Sequence, residues 1–312
     1  MPSYDEVNYT LRPAKNIERK MFCDVFRRLT EFGSLESYRY IGLGSVYFSD
    51  FSLFHKFLNI VNNVSMEREI GDKERVLFNI PYSCIEMKWG ESNEILPTLE
   101  WDMTRTITWL DYDDPLIPSM LRDVTTVCSY ALSGSILIVT VDAEPDKMYE
   151  RRKSVGKRLE KKLPVMSSEF KLGDWGTANF YREIINNTID EAIKTRNGVL
   201  RSELKINYKQ LFNFHYADGA KMLTVGGILF EEGQSGHVAK CEFDKFDFVS
   251  ADEKAYHIDV PFLTLREIRH LNKQLPCLDI SNIKAPWLSA DNIARYEKIY
   301  RYFPTFVDAE IV

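Results

Sequence analysis

The sequence has few cysteines and no cysteine pair of the kind that holds a metal or marks a redox motif. Five cysteines are scattered along the 312 residues, and none belongs to a Cys-x-x-Cys motif: Cys23, Cys84, Cys128, Cys241 and Cys277. This spacing argues against a zinc site and against a disulfide framework, and it favours reduced thiols. We therefore expect a cytoplasmic protein.

Long apolar runs, a signal peptide and an excess of positive charge are also missing. The longest apolar run, residues 136–141, is far too short to cross a bilayer, and the first residues are polar and acidic. These features predict a protein without membrane attachment. The net charge of −6 argues against sequence-independent binding of polyanions over the whole surface, while a local basic face stays open.

The sequence does contain a regular alternation of short apolar runs and helical patterns. Five strands are predicted, at residues 38–45, 60–66, 83–87, 106–110 and 135–141. Because helical patterns separate them, they indicate a parallel, doubly wound α/β sheet. Two further strands, 207–216 and 221–231, flank an Asp218-Gly219 turn and predict an antiparallel hairpin.

The first predicted strand ends in the turn Gly42-Leu43-Gly44-Ser45, around which the other motifs are arranged. Glycines remove the Cβ atoms where the backbone must turn sharply, and they let a cofactor approach closely. A helix is predicted over residues 46–59, so its N-terminus would present free N–H groups and the positive end of its dipole at the same place. The turn therefore favours a cofactor site.

Acidic residues follow three of the other predicted strands. Glu67, with Glu69 as the neighbouring alternative, follows the second strand, where a carboxylate can accept both hydroxyls of a ribose. Glu91 follows the third strand. Asp111 and Asp113 follow the fourth, and such carboxylates belong in a crevice because burying them unpaired is costly. The alternatives are solvated loop acids, an ordinary helix cap near Glu91 and an Asp-Pro turn.

A helix is predicted from Ala14 to Phe32, before the first strand. It has an apolar face and a basic side, and we interpret it as a covering helix whose basic side is solvated. The alternative is that Arg12, Lys15 and Arg19 help to shape a site near the glycine turn.

Five α/β units followed by an antiparallel strand pair resemble the class I S-adenosylmethionine-dependent methyltransferase fold. The resemblance implies that Gly42, Gly44 and Ser45 contact the methionine part of S-adenosylmethionine. It further implies that Glu67 binds the ribose and that Glu91 lies near the adenine. The fold class implied is a Rossmann-like sheet of parallel strands plus a C-terminal antiparallel hairpin, with helical additions.

The run from Tyr40 to Phe51 is similar to a group of bacterial proteins thought to be O-methyltransferases of unknown substrate. Two departures from the wider family pattern stand beside this similarity. Tyr40 takes the place of an acid two residues before the first glycine, and Ser45 and Val46 stand where a third glycine would follow. Both departures weaken the case for a cofactor.

The resemblance covers only part of the chain, which we divide into three segments. Residues 1–37 form an N-terminal covering helix region, and residues 38–240 form the Rossmann-like domain, with an insertion at about 146–205. Residues 241–312 form a C-terminal extension that is partly helical.

The function implied is that of a methyltransferase with an unknown acceptor, O-methylation being one option. The sulfonium methyl is already activated, so the protein mainly aligns a nucleophile and removes a proton. Asp111 or Asp113 would be the base or the orienting group. With Asp142 they could also form an oxygen-rich magnesium site, but solvated loop acids explain Asp142 better, and we predict no metal.

The alternative is a catalytically reduced, methyltransferase-like subunit that acts as a scaffold or recognition module for a protein or nucleic-acid partner. The incomplete glycine pattern, the insertion and the C-terminal extension favour it. A dinucleotide-dependent oxidoreductase is disfavoured, because Tyr47 takes the place of the third glycine of Gly-x-Gly-x-x-Gly.

Overall fold

One eight-stranded sheet organises the residues that this computed structural model describes, which are 12–68, 71, 73–148, 150–159 and 172–304. Its strands are β1 Arg39–Leu43, β2 Asn62–Glu67, β3 Ile85–Trp89, β4 Thr106–Pro115, β5 Ser135–Asp142, β6 Ile206–Ala217, β7 Lys221–Glu231 and β8 Tyr256–Ile258. They lie in the order β3-β2-β1-β4-β5-β7-β6-β8. The short strand β8 comes from the predicted C-terminal extension and pairs with β6.

Helices connect the strands and cover both faces of the sheet. They are α1 Pro13–Arg27, α2 Ser49–Leu58, α3 Lys73–Phe78, α4 Ser92–Ile95, α5 Pro118–Tyr130, α6 Arg151–Leu159, α7 Gly176–Asn197, α8 Ser235–Lys240, α9 Leu265–Asn272 and α10 Ala290–Ile299. None of these helices has the length and apolar character that a bilayer crossing needs. The five cysteines are free thiols.

The direction of the strands confirms the predicted Rossmann-like sheet. β1 to β5 pair in parallel, β7 runs antiparallel between β5 and β6, and β6 therefore points the same way as β5. The short strand β8 is parallel to β6, so the carboxyl ends of seven strands meet at one edge. The strand order reverses between β1 and β4, and this switch point is where open α/β sheets bind ligands.

Apolar side chains build a core on each face of the sheet. On one face α1 and α2 pack down, with the ring of Phe22 edge-on to Trp109 at 5.0 Å between centroids. On the other face α5 packs on β5, and α7 packs on β6, β7 and α5. Because both faces are covered, the strands read as near-continuous apolar runs, which is why the sequence predicted them.

The N-terminus of α1 is anchored by the β6–β7 turn. Pro13 stands in the first turn of the helix, and the Asp218 carboxylate accepts the backbone N–H groups of Ala14 and Lys15 at 3.3 and 3.0 Å. A carboxylate suits this end because the helix dipole is positive there. The helix ends at Arg27, before a short 3₁₀ turn, and is shorter than predicted.

Two local predictions differ from the structure. The helix predicted from residue 46 begins at Ser49, because Phe48 adopts a left-handed conformation with φ of 44° and separates the glycine turn from the helix. The acids predicted to follow the fourth strand instead continue it: β4 runs on to Pro115, with an irregular register between Asp111 and Pro115. Glu69 lies outside the described residues.

Candidate active site at the carboxyl edge of the sheet

The glycine turn brings the ends of β1 and β2 into direct contact. The Gly44 N–H donates a hydrogen bond to the Met66 carbonyl. A Cβ atom on Gly44 would lie 2.9 Å from that oxygen and 3.0 Å from Cβ of Glu67. Gly44 is therefore required by the approach of the neighbouring strand, and the turn lies against the Glu67 side chain. A Cβ on Gly42 would lie 2.8 Å from the Tyr40 hydroxyl oxygen.

We expect Gly44→Ala to lower the free energy of unfolding by ~1–3 kcal/mol, since the added methyl group overpacks the contact with Met66 and Glu67. Urea denaturation measures the loss. The matched control is Gly236→Ala in α8, where an added Cβ meets nothing within 4 Å. That variant should be as stable as the wild type or slightly more so. Equal stability of both variants would contradict this account of Gly44.

Tyr40 takes a buried position that a family acid was expected to hold. Its side chain is fully buried, and its hydroxyl donates a hydrogen bond to the Asp50 carboxylate in the first turn of α2. Burial, reinforced by Asp50, holds the pKa of Tyr40 well above its usual value. The carboxylate missing from β1 is thus supplied by α2. In the turn, the Ser45 hydroxyl accepts the Tyr47 N–H at 3.1 Å.

Glu67 and Glu91 stand at the ends of adjacent strands, in different surroundings. Glu67 is 7% exposed, and its backbone carbonyl accepts the Gly90 N–H at 3.0 Å, which ties β2 to the turn after β3. Gly90 has φ of 138°, a conformation that glycine adopts without strain. Glu91 is exposed and precedes α4 without capping it through its side chain. Only Glu67 lies beside the glycine turn.

A polar triad of Ser92, Tyr112 and Asp123 lies behind Glu91. It was not predicted from the sequence. Oδ2 of the buried Asp123, on α5, accepts hydrogen bonds from the Ser92 hydroxyl at 2.5 Å and the Tyr112 hydroxyl at 2.6 Å. Burial raises the pKa of Asp123, and the two hydroxyls oppose that rise. Its other oxygen is buried without a hydrogen bond to any described residue. The helical spacing of α5 gave no sign of this group, because position 123 reads as one more helix residue.

Asp111 belongs to a buried ionic cluster, which we define as Lys15, Glu18, Asp111 and Tyr216. The Lys15 ammonium donates hydrogen bonds to Oδ1 of Asp111 at 2.5 Å and to the Tyr216 hydroxyl at 3.0 Å. It also lies 3.1 Å from a carboxylate oxygen of Glu18 and 4.4 Å from the centre of the Trp109 ring. α1 therefore contributes Lys15 to the carboxyl edge of the sheet.

The charged groups of the ionic cluster shift one another's pKa values. Burial lowers the pKa of Lys15, but Asp111 and Glu18 outweigh burial, so the net pKa is raised. For Asp111, burial raises the pKa to about 6; Asp113 adds to the rise, and Lys15 opposes it. The Asp111 side chain is 25% exposed, so a small molecule can reach it. It is a carboxylate that exchanges its proton near neutral pH.

Two charged groups of α1 have buried atoms without a hydrogen bond. Glu18 is completely buried and forms an ion pair with Lys15, but neither of its oxygens has a hydrogen bond within the described parts of the chain. Arg19 is 5% exposed, and its Nε likewise has no partner there. Because buried polar groups are normally hydrogen-bonded, these atoms are candidates for contact with a ligand.

Asp113 is exposed on the strand beyond Asp111. Across the described residues, no group of three or more His, Cys, Asp and Glu side chains is arranged to hold a metal ion. Asp111, Asp113 and Asp142 thus do not come together as a metal site in this structure.

The parallel sheet, the glycine turn and the acids at one edge define a class I methyltransferase fold. The chain belongs to the family described as "Putative O-methyltransferase", whose sequence model matches residues 7–311. No curated protein matches it by sequence.

Three solved structures are similar to the chain at low sequence identity. The O-methyltransferase TomG from Streptomyces achromogenes, in complex with SAM, is 15% identical over 67% of this chain and 78% of its own, with a TM-score of 0.37. The O-methyltransferase from Bacillus cereus, with SAH, is 11% identical over 68% and 80%, with a TM-score of 0.36. Trm1 from Pyrococcus horikoshii, with S-adenosyl-L-methionine, is 11% identical over 70% and 57%, with a TM-score of 0.42.

Proposed function

We propose that the chain is an S-adenosylmethionine-dependent O-methyltransferase. The observation that carries the proposal is the position of Asp111, which is paired with a buried Lys15 at the switch point of the sheet. A carboxylate whose pKa is raised to about 6, at the edge where open α/β sheets bind ligands, is suited to act as a general base. Family membership supports the same function.

The edge of the sheet offers groups that match the parts of S-adenosylmethionine. Glu67 would accept the ribose hydroxyls, and the backbone from Gly42 through Gly44 to Ser45 would run along the methionine part. Glu18 and Arg19 have buried atoms without a hydrogen bond, and they would offer opposite charges to the ammonium and carboxylate of an amino-acid head group. Nearer the adenine, the candidates are Glu91 and the triad around Asp123.

When bound, S-adenosylmethionine supplies an activated methyl group. The residues of the chain then have to orient the acceptor and remove its proton. In this proposal Asp111 takes the proton of an acceptor hydroxyl, and Lys15 fixes the direction of the carboxylate. Asp113, exposed and next along the strand, is the reserve candidate for the base.

We expect Glu67→Gln to weaken S-adenosylmethionine binding by ~1.5–3 kcal/mol, about ten- to a hundredfold, because the amide keeps the shape of the side chain but loses charge-assisted acceptance. Calorimetric titration of the cofactor measures the change. The matched control is Glu86→Gln, an exposed acid on neighbouring β3. If Glu69→Gln weakens binding and Glu67→Gln does not, the ribose carboxylate is Glu69.

The second candidate function is a non-catalytic subunit that recognises a protein or nucleic-acid partner. Tyr40 favours it, because a fully buried tyrosine fills the place of the family's acid. The same titration bears on the choice between the two functions: failure to bind either S-adenosylmethionine or its demethylated product would favour the non-catalytic subunit. The free thiols fit a cytoplasmic location, which is part of the proposal.

A further inference from the structure

A large cavity lies beside the ionic cluster, at the carboxyl ends of β6 and β8. It has a volume of about 1000 Å³, the upper end of the range for small-molecule sites. Its inner wall includes Pro13, Tyr216 and Asp218, and Trp175 and Phe262 line it farther out. No role proposed above uses this space.

The cavity adjoins the proposed catalytic group through one side chain. Tyr216 lines the cavity, and its hydroxyl lies 3.0 Å from the Lys15 ammonium, which in turn lies 2.5 Å from Asp111. A molecule held in the cavity is therefore separated from the base by Tyr216 and Lys15 alone. A ligand there lies near the proposed base but does not contact it, because Asp111 is not part of the cavity wall.

His215 is the polar group in the cavity wall that lacks a partner. The side chain is 2% exposed, and neither imidazole nitrogen has a hydrogen bond to a residue that the structure describes. Trp175 stacks on the ring at 4.6 Å, and His257 stands edge-on to it at 5.2 Å. An unpaired buried imidazole costs stability, so its retention at a cavity wall points to a ligand.

Other polar groups of the wall are already engaged. Asp218 accepts two N–H groups of α1, and Arg295 forms ion pairs with Asp259 and Asp291 at 3.1 and 3.0 Å. The Thr264 hydroxyl takes part in the capping box of α9. The cavity therefore offers a ligand aromatic and apolar walls and the buried, unpaired imidazole of His215, while the charges of Asp218 and Arg295 are already paired.

The imidazole is neutral. Burial, followed by the neighbouring His257 and Arg182, lowers the pKa of His215 to about 3, and Asp174 opposes this only weakly. A neutral imidazole carries one N–H donor and one acceptor nitrogen. A hydroxyl group, itself both donor and acceptor, is the group that pairs with either nitrogen.

We propose that this cavity binds the aromatic ring of a neutral, hydroxylated small molecule, with a ring hydroxyl hydrogen-bonded to His215. The aromatic side chains Trp175, Phe262 and Phe303 provide the flat walls that such a ring needs.

The test compares 7-hydroxycoumarin with coumarin, which lacks the hydroxyl, by isothermal titration calorimetry on the full chain. We expect wild-type protein to bind 7-hydroxycoumarin at least about tenfold more tightly. His215→Phe keeps the flat ring and removes both nitrogens, so it should bind the two probes equally. Its thermal midpoint should equal or exceed that of the wild type, because an unpaired buried polar group is gone.

The matched control is His237→Phe, an exposed histidine on α8, which should keep the tenfold preference. Equal binding of both probes by the wild type, no binding of either, or a preference retained in His215→Phe would each overturn the proposal. Titration with S-adenosylmethionine is run separately on the same variants. If the wild type does not bind S-adenosylmethionine but still prefers 7-hydroxycoumarin to coumarin, the proposed function is wrong and the cavity assignment is unaffected.

Discussion

Asp111→Asn should lower methyl transfer by ~10²-fold or more and leave the affinity for S-adenosylmethionine within a few-fold of the wild type. Asparagine preserves the volume and the hydrogen-bonding reach of the side chain, but it cannot take a proton, and a positioned base typically contributes this much. The assay uses labelled cofactor with cell extract, scored for label in small molecules, nucleic acid and protein.

The pH profile adds a second readout for Asp111. Because the pKa of its carboxyl is raised to about 6, wild-type transfer should increase as the pH rises through that value and then level off. The control is Asp114→Asn, an exposed acid on the same strand that lies 3.7 Å from Arg68. If Asp111→Asn labels as fast as the wild type, the base is Asp113. If wild-type protein binds the cofactor and labels nothing, the scaffold function gains.

Lys15→Met should destabilise the protein by ~3–5 kcal/mol, the usual result of removing one partner from a buried ion pair. Methionine fills similar space, so the loss reports the charge that Asp111 and Glu18 then carry without compensation. Urea denaturation measures it. Lys56→Met, at an exposed position of α2, is the control and should change little. The double variant Lys15→Met, Asp111→Asn should recover part of the loss, because one unpaired carboxylate is removed.

The stability of Lys15→Met should also depend on pH with a defined sign. Without the ammonium, nothing in the ionic cluster opposes the effect of burial on Asp111, so its folded-state pKa stays above the unfolded value. The folded variant then binds protons more readily than the unfolded chain, and stability falls as pH rises between those two values. The deficit relative to the wild type should be smaller at pH 5 than at pH 8. A larger stability deficit at pH 5 than at pH 8 would show that the Lys15 ammonium does not compensate a buried carboxylate.

The sheet could be predicted because local pattern and tertiary environment agree in it. Strands covered on both faces, such as β5, read as apolar runs, and the Asp218-Gly219 turn marks the hairpin. The predicted start of α2 was wrong, because Phe48 adopts a left-handed conformation that sequence patterns do not assign to phenylalanine. The course of β4 through its acids was missed because charged residues usually signal the end of a buried strand.

The sequence predicted a residue of the candidate site only where its place follows from the end of a single strand. Glu67 lies beside Gly44, as two adjacent parallel strands require. The pairing of Lys15 with Asp111 and Tyr216 could not be derived, since it joins residues far apart in the chain through the packing of α1. A local signal did exist: Lys15, Glu18 and Arg19 share one side of the helix, next to its apolar face. No local sequence signal marked His215, because a histidine within an apolar strand is usually an ordinary core residue.

The anchoring of α1 by Asp218 has a consequence for how the protein is made. The helix leaves the ribosome about two hundred residues before the carboxylate that caps it and the Tyr216 hydroxyl that contacts Lys15. A chain that stops before the β6–β7 hairpin would carry the glycine turn and Asp111, but Lys15 would lack its contact with Tyr216. Chemistry at this edge would thus begin only after the hairpin has been synthesised, so shorter translation fragments would be inactive.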